Sequence, residues 1–278
     1  MNKQKITILS IFLCVLLAGC SAKTEIPDLS SMGDVAVISR EDGSGTRNEF
    51  ERLVNADGKG TKEIAASTEE VLEKVSDDRD AIGYVAYISV PSEMELKVLA
   101  VDGVQISEET IKKGQYALCR NYYFAYSGEL NDIEKDFLSY VLSAGQDIVE
   151  KNCIAAKKFG TFLSDRSNGE IIINCPSSMS PIIQALAEDY KTYNPNAEIT
   201  IQITDSTTGL TKAMRGECGF AMSSRDLKEY EEELLTKQAI GTDAVAVIVN
   251  MENPIDNLSK KQLGELYDGN YKRWSDIK

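Results

Sequence analysis

Short runs of β-branched and aromatic residues alternate along this chain with longer stretches in which apolar positions recur every three or four residues. That alternation predicts an α/β fold, sheets covered by helices. Val35 to Ser39 reads as a strand, followed after a glycine-rich loop by a helical segment over 48–54. Thr68 to Val75 is expected to be a helix with Val71 and Val75 on its apolar face, and 81–87 and 96–101 to be strands. Ile133 to Lys151 carries Ile133, Phe137, Leu138, Val141, Leu142, Ile148 and Val149 at core-facing spacings, which predicts one helix. After a turn-rich stretch at 159–169 the pattern restarts, with a strand at 170–174 and a helix at 181–193. A strictly alternating strand at 198–204 and a helix at 210–215 come next, then a strand at 219–222, an acidic helix at 227–237, an apolar strand at 243–250 and a last helix from Ser259 through Tyr267.

Hydroxyl-bearing loops sit at repeated places in this pattern. Three successive strands run into Ser177-Ser178, Ser206-Thr207 and Ser223-Ser224, each expected to open a helix. Near the start, Ser39-Arg40-Glu41-Asp42-Gly43-Ser44-Gly45-Thr46-Arg47 places a guanidinium, hydroxyls and flexible amides between a strand and a helix. At a helix N-terminus an anion meets unpaired N–H donors and the positive end of the helix dipole. The loop lacks the Lys-Ser/Thr ending of a Walker A motif, and its glycine spacing is not that of a dinucleotide fingerprint. In a parallel sheet the carboxyl ends of strands converge on one edge, so several such loops would face one crevice.

The composition narrows the chemistry. A formal charge of −14 argues against nucleic acid and against a polybasic membrane patch. The chain has no histidine, which removes the commonest general base and transition-metal ligand and leaves no evident hydrolase or zinc site. The expectation is a protein that is not an enzyme and holds neither metal nor cofactor. Residues 1–19 have the layout of a secretory signal, with Lys3 and Lys5, an apolar stretch from Ile6 to Leu17, and small residues before Cys20. The remaining 259 residues, at −16, suffice for two lobes, each with its own core. Cys119, Cys153, Cys175 and Cys218 fit neither a metal knuckle nor a CxxC motif, and free thiols and disulfides both stay open.

Leu17-Ala18-Gly19-Cys20 resembles the bacterial lipobox, which implies lipidation of Cys20, a tether over 20–34 and attachment to the extracytoplasmic face of the cell membrane through the lipid alone. The stretch 40–46 with Phe50, together with 81–85, 101–104, 143–146, 177–181, 223–228, 247–250 and 257–277, resembles the substrate-binding proteins of phosphate ABC importers, PstS-like within the type II periplasmic binding protein fold. The order of the halves is exchanged relative to that family. Residues 35–118 correspond to the usual second lobe, 119–158 to the return segment, 159–168 to a linker joining the usual termini, and 169–278 to the usual first lobe. This reads as a circular permutation opened at one hinge crossover, with a chain truncated at Lys278 as the alternative; the first reading expects Lys278 close to Val35 near the hinge.

The resemblance implies that Arg40 supplies charged hydrogen bonds to inorganic phosphate, that Ser44, Gly45 and Thr46 add hydroxyl and amide donors, and that Ser178, the amide of Met179, Ser206, Ser223 and Ser224 complete the clamp. Asp42 is expected to steer Arg40. Ser224 stands where many phosphate binders carry an aspartate, which leaves selectivity over sulfate open. The implied role is capture of phosphate for an ABC permease and its ATPase. The alternatives are an anchored oxyanion sensor or surface interaction protein without transport, or a binder of another tetrahedral oxyanion.

Overall fold

The computed structural model describes residues 27–91 and 93–277. The expected signal segment and Cys20 lie outside the described residues. The chain opens with strand β1 (Ala36–Arg40), helix α1 (Gly45–Val54), β2 (Glu63–Ala65), α2 (Thr68–Asp77) and β3 (Ala81–Ala86), followed by β4 (Leu96–Val98), β5 (Ala100–Val101) and α3 (Glu108–Lys112). Strand β6 (Cys119–Tyr126) leads to α4 (Asp132–Val141), α5 (Gln146–Asn152) and β7 (Ile154–Ala155). Then come β8 (Gly169–Pro176), a 3-10 turn at Ser177–Met179, α6 (Ser180–Tyr193), β9 (Ala197–Thr204), α7 (Ser206–Met214), β10 (Phe220–Ser223) and α8 (Glu229–Leu234). The 15-residue β11 (Thr236–Asn250), β12 (Asn257–Leu258) and α9 (Lys260–Tyr267) follow.

Two packed bodies result. One core gathers residues between Leu29 and Leu118 with those between Ala244 and Ile277, and the other lies between Tyr122 and Ile240. Strands run in the order β2-β1-β3-β11-β6-β10-β8-β9, and β11 joins the bodies. Its first half pairs antiparallel with β6 and its second half with β3. The register shifts between Ala239 and Gly241. A Cβ on Gly241 would stand 2.9 Å from Val149 and 3.0 Å from the Cys153 sulfur, so glycine lets the strand turn there. Within the first body β1 is parallel to β3, and within the second β8 is parallel to β9 and β10.

Several expectations need correction. Residues 169–278 are not one lobe: 169–235 and the first half of β11 belong to the second body, while 250–277 pack into the first. Both crossings, β6 and β11, run uninterrupted, so no hinge crossover is opened. Residues 272–277 do lie beside 33–36, with the Val35 N–H donating to the Lys272 carbonyl at 2.9 Å, but at the end of β1 opposite Arg40 and away from the hinge. The described part of the tether is not free chain, because Leu29 and Met32 are buried in the first core. The linker is also anchored: the Ser164 hydroxyl and the Asp165 N–H both donate to Asp136, and Phe162 packs edge-on against Tyr140 and Tyr193. The single helix expected over 133–151 is two, broken at 142–145, where the Ser143 hydroxyl bonds back to the Tyr140 carbonyl. The four cysteines at 119, 153, 175 and 218 are free thiols. Burial raises the Cys119 thiol to about 11, so it stays protonated at neutral pH.

Candidate functional site

The carboxyl end of β1 delivers Arg40 to the seam between the bodies. Ser39 bonds Tyr84 Oη at 2.6 Å, and Tyr84 stacks on Phe50 with ring centroids 4.1 Å apart, so the strand end is fixed from below. Burial pushes the Tyr84 phenol well above its usual value and keeps it neutral. The chain then turns through Gly43, whose φ of +88° suits glycine. A Cβ there would lie 2.4 Å from Asp205 Oδ1 of the second body. Ser44 caps α1 by accepting from the Arg47 N–H at 3.3 Å. Gly45 and Thr46 form the first turn, whose N–H groups have no partner inside the helix.

Arg40 is 2% exposed and its partners are specific. Nε and Nη2 grip both carboxylate oxygens of Glu41 at 2.7 and 2.8 Å. Nη1 donates to Thr68 Oγ1 at 3.0 Å, and Nη2 to Ser177 Oγ of the second body at 3.0 Å. Four of the five guanidinium N–H groups are thereby engaged, leaving one on Nη1. Ser177 Oγ also accepts from the Thr68 N–H at 3.2 Å. Asp42 does not steer Arg40. It lies in the exposed turn and pairs with Arg47 at 2.8 Å, whereas the longer Glu41 side chain folds back onto Arg40.

From the second body, three strand ends meet this loop. Ser177 and Ser178 follow β8, with Met179 N-terminal to α6; the Met179 thioether is buried in the core and only its amide belongs to the helix terminus. Ser206 follows β9 as the first residue of α7, capped by Asp205. Ser224 follows β10, its N–H donating to Ser206 Oγ at 3.3 Å and its Oγ accepting from Ser178 Oγ at 3.4 Å. No helix opens there, since α8 starts only at Glu229. Ser223 is turned away: its hydroxyl donates to the Arg225 carbonyl at 2.8 Å and closes its own loop. The bodies are in contact. Thr207 donates through N–H and hydroxyl to the Gly43 carbonyl at 3.2 and 3.0 Å, and a Cβ on Gly45 would stand 2.3 Å from Ser206 Oγ and 2.6 Å from Ser224 Oγ.

The structure thus brings together Arg40, Ser44, Gly45, Thr46, Ser178, Ser206 and Ser224, and adds Glu41, Thr68, Ser177 and Arg120. Arg120, on β6, donates from Nη1 to Thr46 Oγ1 at 2.8 Å and is paired with Asp243 on β11 at 3.2 Å. Sequence spacing could not find it, since it comes from a crossing strand with no motif of its own. Arg225 is likewise held by Glu231, at 2.7 and 2.8 Å. Each of these buried guanidiniums is neutralised by a carboxylate. What the seam offers an incoming group is therefore hydroxyl and amide donors at the N-termini of α1, α6 and α7, with little net charge: an arrangement suited to a compact oxyanion. Among the described residues no group of acidic, cysteine or histidine side chains could hold a metal ion.

Two bodies joined by crossing strands and meeting at a donor-lined seam define a two-lobed solute-binding fold. A family model described as a PBP superfamily domain matches residues 22–144 and 160–278. The phosphate-binding protein PstS 2 of Streptococcus agalactiae is 35% identical over 277 residues, spanning 94% of this chain and 93% of that protein. Its namesake in Streptococcus pneumoniae serotype 4 is 32% identical over 290 residues, with 99% of both covered. The crystal structure of a phosphate-binding protein of a phosphate ABC transporter from Streptococcus pneumoniae superposes with a TM-score of 0.71 at 34% identity, over 88% of this chain and 100% of that one. The chain belongs to the PstS-like family of solute-binding proteins, whose members bind and release rather than catalyse.

Proposed function

We propose that this protein captures inorganic phosphate between its two bodies and delivers it to an ABC importer from the extracytoplasmic face of the membrane, held there by a lipid on Cys20. The observation that carries the reading is the meeting of Arg40 and the α1 N-terminus, from one body, with Ser178, Ser206 and Ser224 from the other. No single body completes the donor set, so closure and binding are one event. Charge pairing of Arg40 with Glu41 leaves recognition to oriented dipoles, which a surface of net negative charge does not abolish. The relatives named for phosphate and for a phosphate ABC transporter support the ligand and the transport context.

The exchanged order of the halves is part of the proposal. The adjacency of Val35 and Lys272 supports an opening inside the first body, away from the hinge. Isothermal titration of the purified mature protein with phosphate and with sulfate tests the ligand. Binding of phosphate is the expected result. Equal or tighter binding of sulfate would make it a general oxyanion receptor, and no heat with either anion would remove the reading.

A further inference from the structure

We propose that Arg120 is a positioning residue that fixes Thr46 as a hydrogen-bond donor to the bound anion, and so ties the crossing strand β6 to ligand recognition; this rests on the phosphate reading above. Arg120 sits on β6 rather than in either anion loop, is 4% exposed, and reaches the loops of both bodies. Its Nη1 donates to Thr46 Oγ1 at 2.8 Å and to the Ser224 carbonyl at 3.4 Å. Its Nη2 donates to Tyr122 Oη at 3.1 Å and to Asp243 Oδ2 at 3.2 Å, and Tyr122 donates to the same oxygen at 2.6 Å.

The chemistry follows from the donor inventory. A guanidinium has N–H groups and nothing that accepts, so the Thr46 proton cannot point at Arg120. Arg120 is the one hydrogen-bond partner of the Thr46 hydroxyl among the described residues. With a lone pair occupied, that hydroxyl keeps its proton for another acceptor. The adjacent Gly45 abuts Ser206 and Ser224, which places the turn at the seam. The charged donor also polarises the O–H and strengthens the bond it makes.

A pair serving packing alone would be expected to satisfy every polar atom, because an unmade bond in the interior is destabilising. Here Arg120 Nε and Asp243 Oδ1 are buried and have no partner among the described residues. The geometry instead holds Nη1 on Thr46 and Ser224, the contacts that change if the bodies part.

The test is a double-mutant cycle read by isothermal titration with phosphate. Arg120→Gln strands Asp243, so it is combined with Asp243→Asn to retain the fold, and Arg120→Lys, which keeps the charge, is measured in parallel. Thr46→Val alone is expected to weaken binding at least tenfold, and Arg120→Gln/Asp243→Asn by a similar factor. In the Thr46→Val background each Arg120 change should then cause less than a further twofold loss. Full additivity, or unchanged affinity in every folded Arg120 variant, would overturn the proposal. Failure of the unmutated protein to bind phosphate would instead overturn the parent reading.

Discussion

Replacing Gly45 with alanine separates closure from folding. Its φ is not in the left-handed region, so alanine suits the backbone, and in the first turn of α1 it gains part of the roughly 1 kcal/mol by which alanine exceeds glycine in a helix. The new Cβ, however, would stand 2.3 Å from Ser206 Oγ, 2.6 Å from Ser224 Oγ and 3.0 Å from Ser206 Cβ. An ordinary contact needs a retreat of roughly 1 Å, and packed interfaces do not yield continuously. Either both hydroxyls rotate off the anion or the bodies stay apart by that distance. Losing one hydrogen bond to a charged ligand is worth about 1.5–3 kcal/mol, a drop in affinity of about 10- to 150-fold. Titration calorimetry with phosphate and thermal unfolding without it should therefore diverge, with affinity falling while the unliganded midpoint holds or rises. An affinity within threefold of the unmutated protein would show that the seam is not where the anion sits.

Glu41→Gln leaves the buried Arg40 guanidinium without its counter-charge and is expected to tighten phosphate binding and make it more salt-dependent, whereas Asp42→Asn, in the exposed turn, should leave affinity within twofold and its salt dependence unchanged; titration of both variants at low and high salt checks the assignment of partners. Glu231 is buried, which alone would raise its carboxyl, but the Arg225 fork and the Lys228 N–H hold it below its ordinary value of 4.5. A depressed folded value means that its contribution to stability is present above pH 4.5 and is lost as the pH falls below that. Urea unfolding at pH 7 and pH 4 should show a larger acid loss in the unmutated protein than in Glu231→Gln, and parallel losses would contradict the pairing. A rearranged chain that begins at Ser167, joins residue 277 to Gly33 through a short Gly/Ser linker and ends at Arg166, so that the contacts of Phe162, Ser164 and Asp165 are kept, should fold and bind phosphate within about tenfold of the original. An unfolded or non-binding product would count against an opening inside the first body.

Much of this was legible in the pattern of residues. The alternation of periods 2 and 3.6 marks most strands and helices, and two of the three Ser/Thr loops after strands, at Ser177-Ser178 and Ser206-Thr207, do run into helices, though Asp205 rather than a hydroxyl caps α7 and none opens at Ser223-Ser224. What was not legible depends on distance. Which of Glu41 and Asp42 reaches Arg40 is decided by side-chain length against the direction of a turn. Ser223 and Ser224 are chemically alike, yet one hydroxyl closes its own loop and the other faces Ser178. Arg120, Thr68 and Ser177 join the site through contacts between residues far apart in the chain. The division into bodies was misplaced because β11 continues unbroken through both cores, and an uninterrupted strand gives no boundary signal.

In the proposed function a single oxyanion is held at once by both bodies. A crystal structure of the protein grown with phosphate tests it directly. Tetrahedral density is expected within hydrogen-bond distance of the Arg40 guanidinium and the Thr46 amide on one side and of Ser178 and Ser206 on the other. Saturating phosphate that leaves this seam empty, or that binds one body alone, would contradict it.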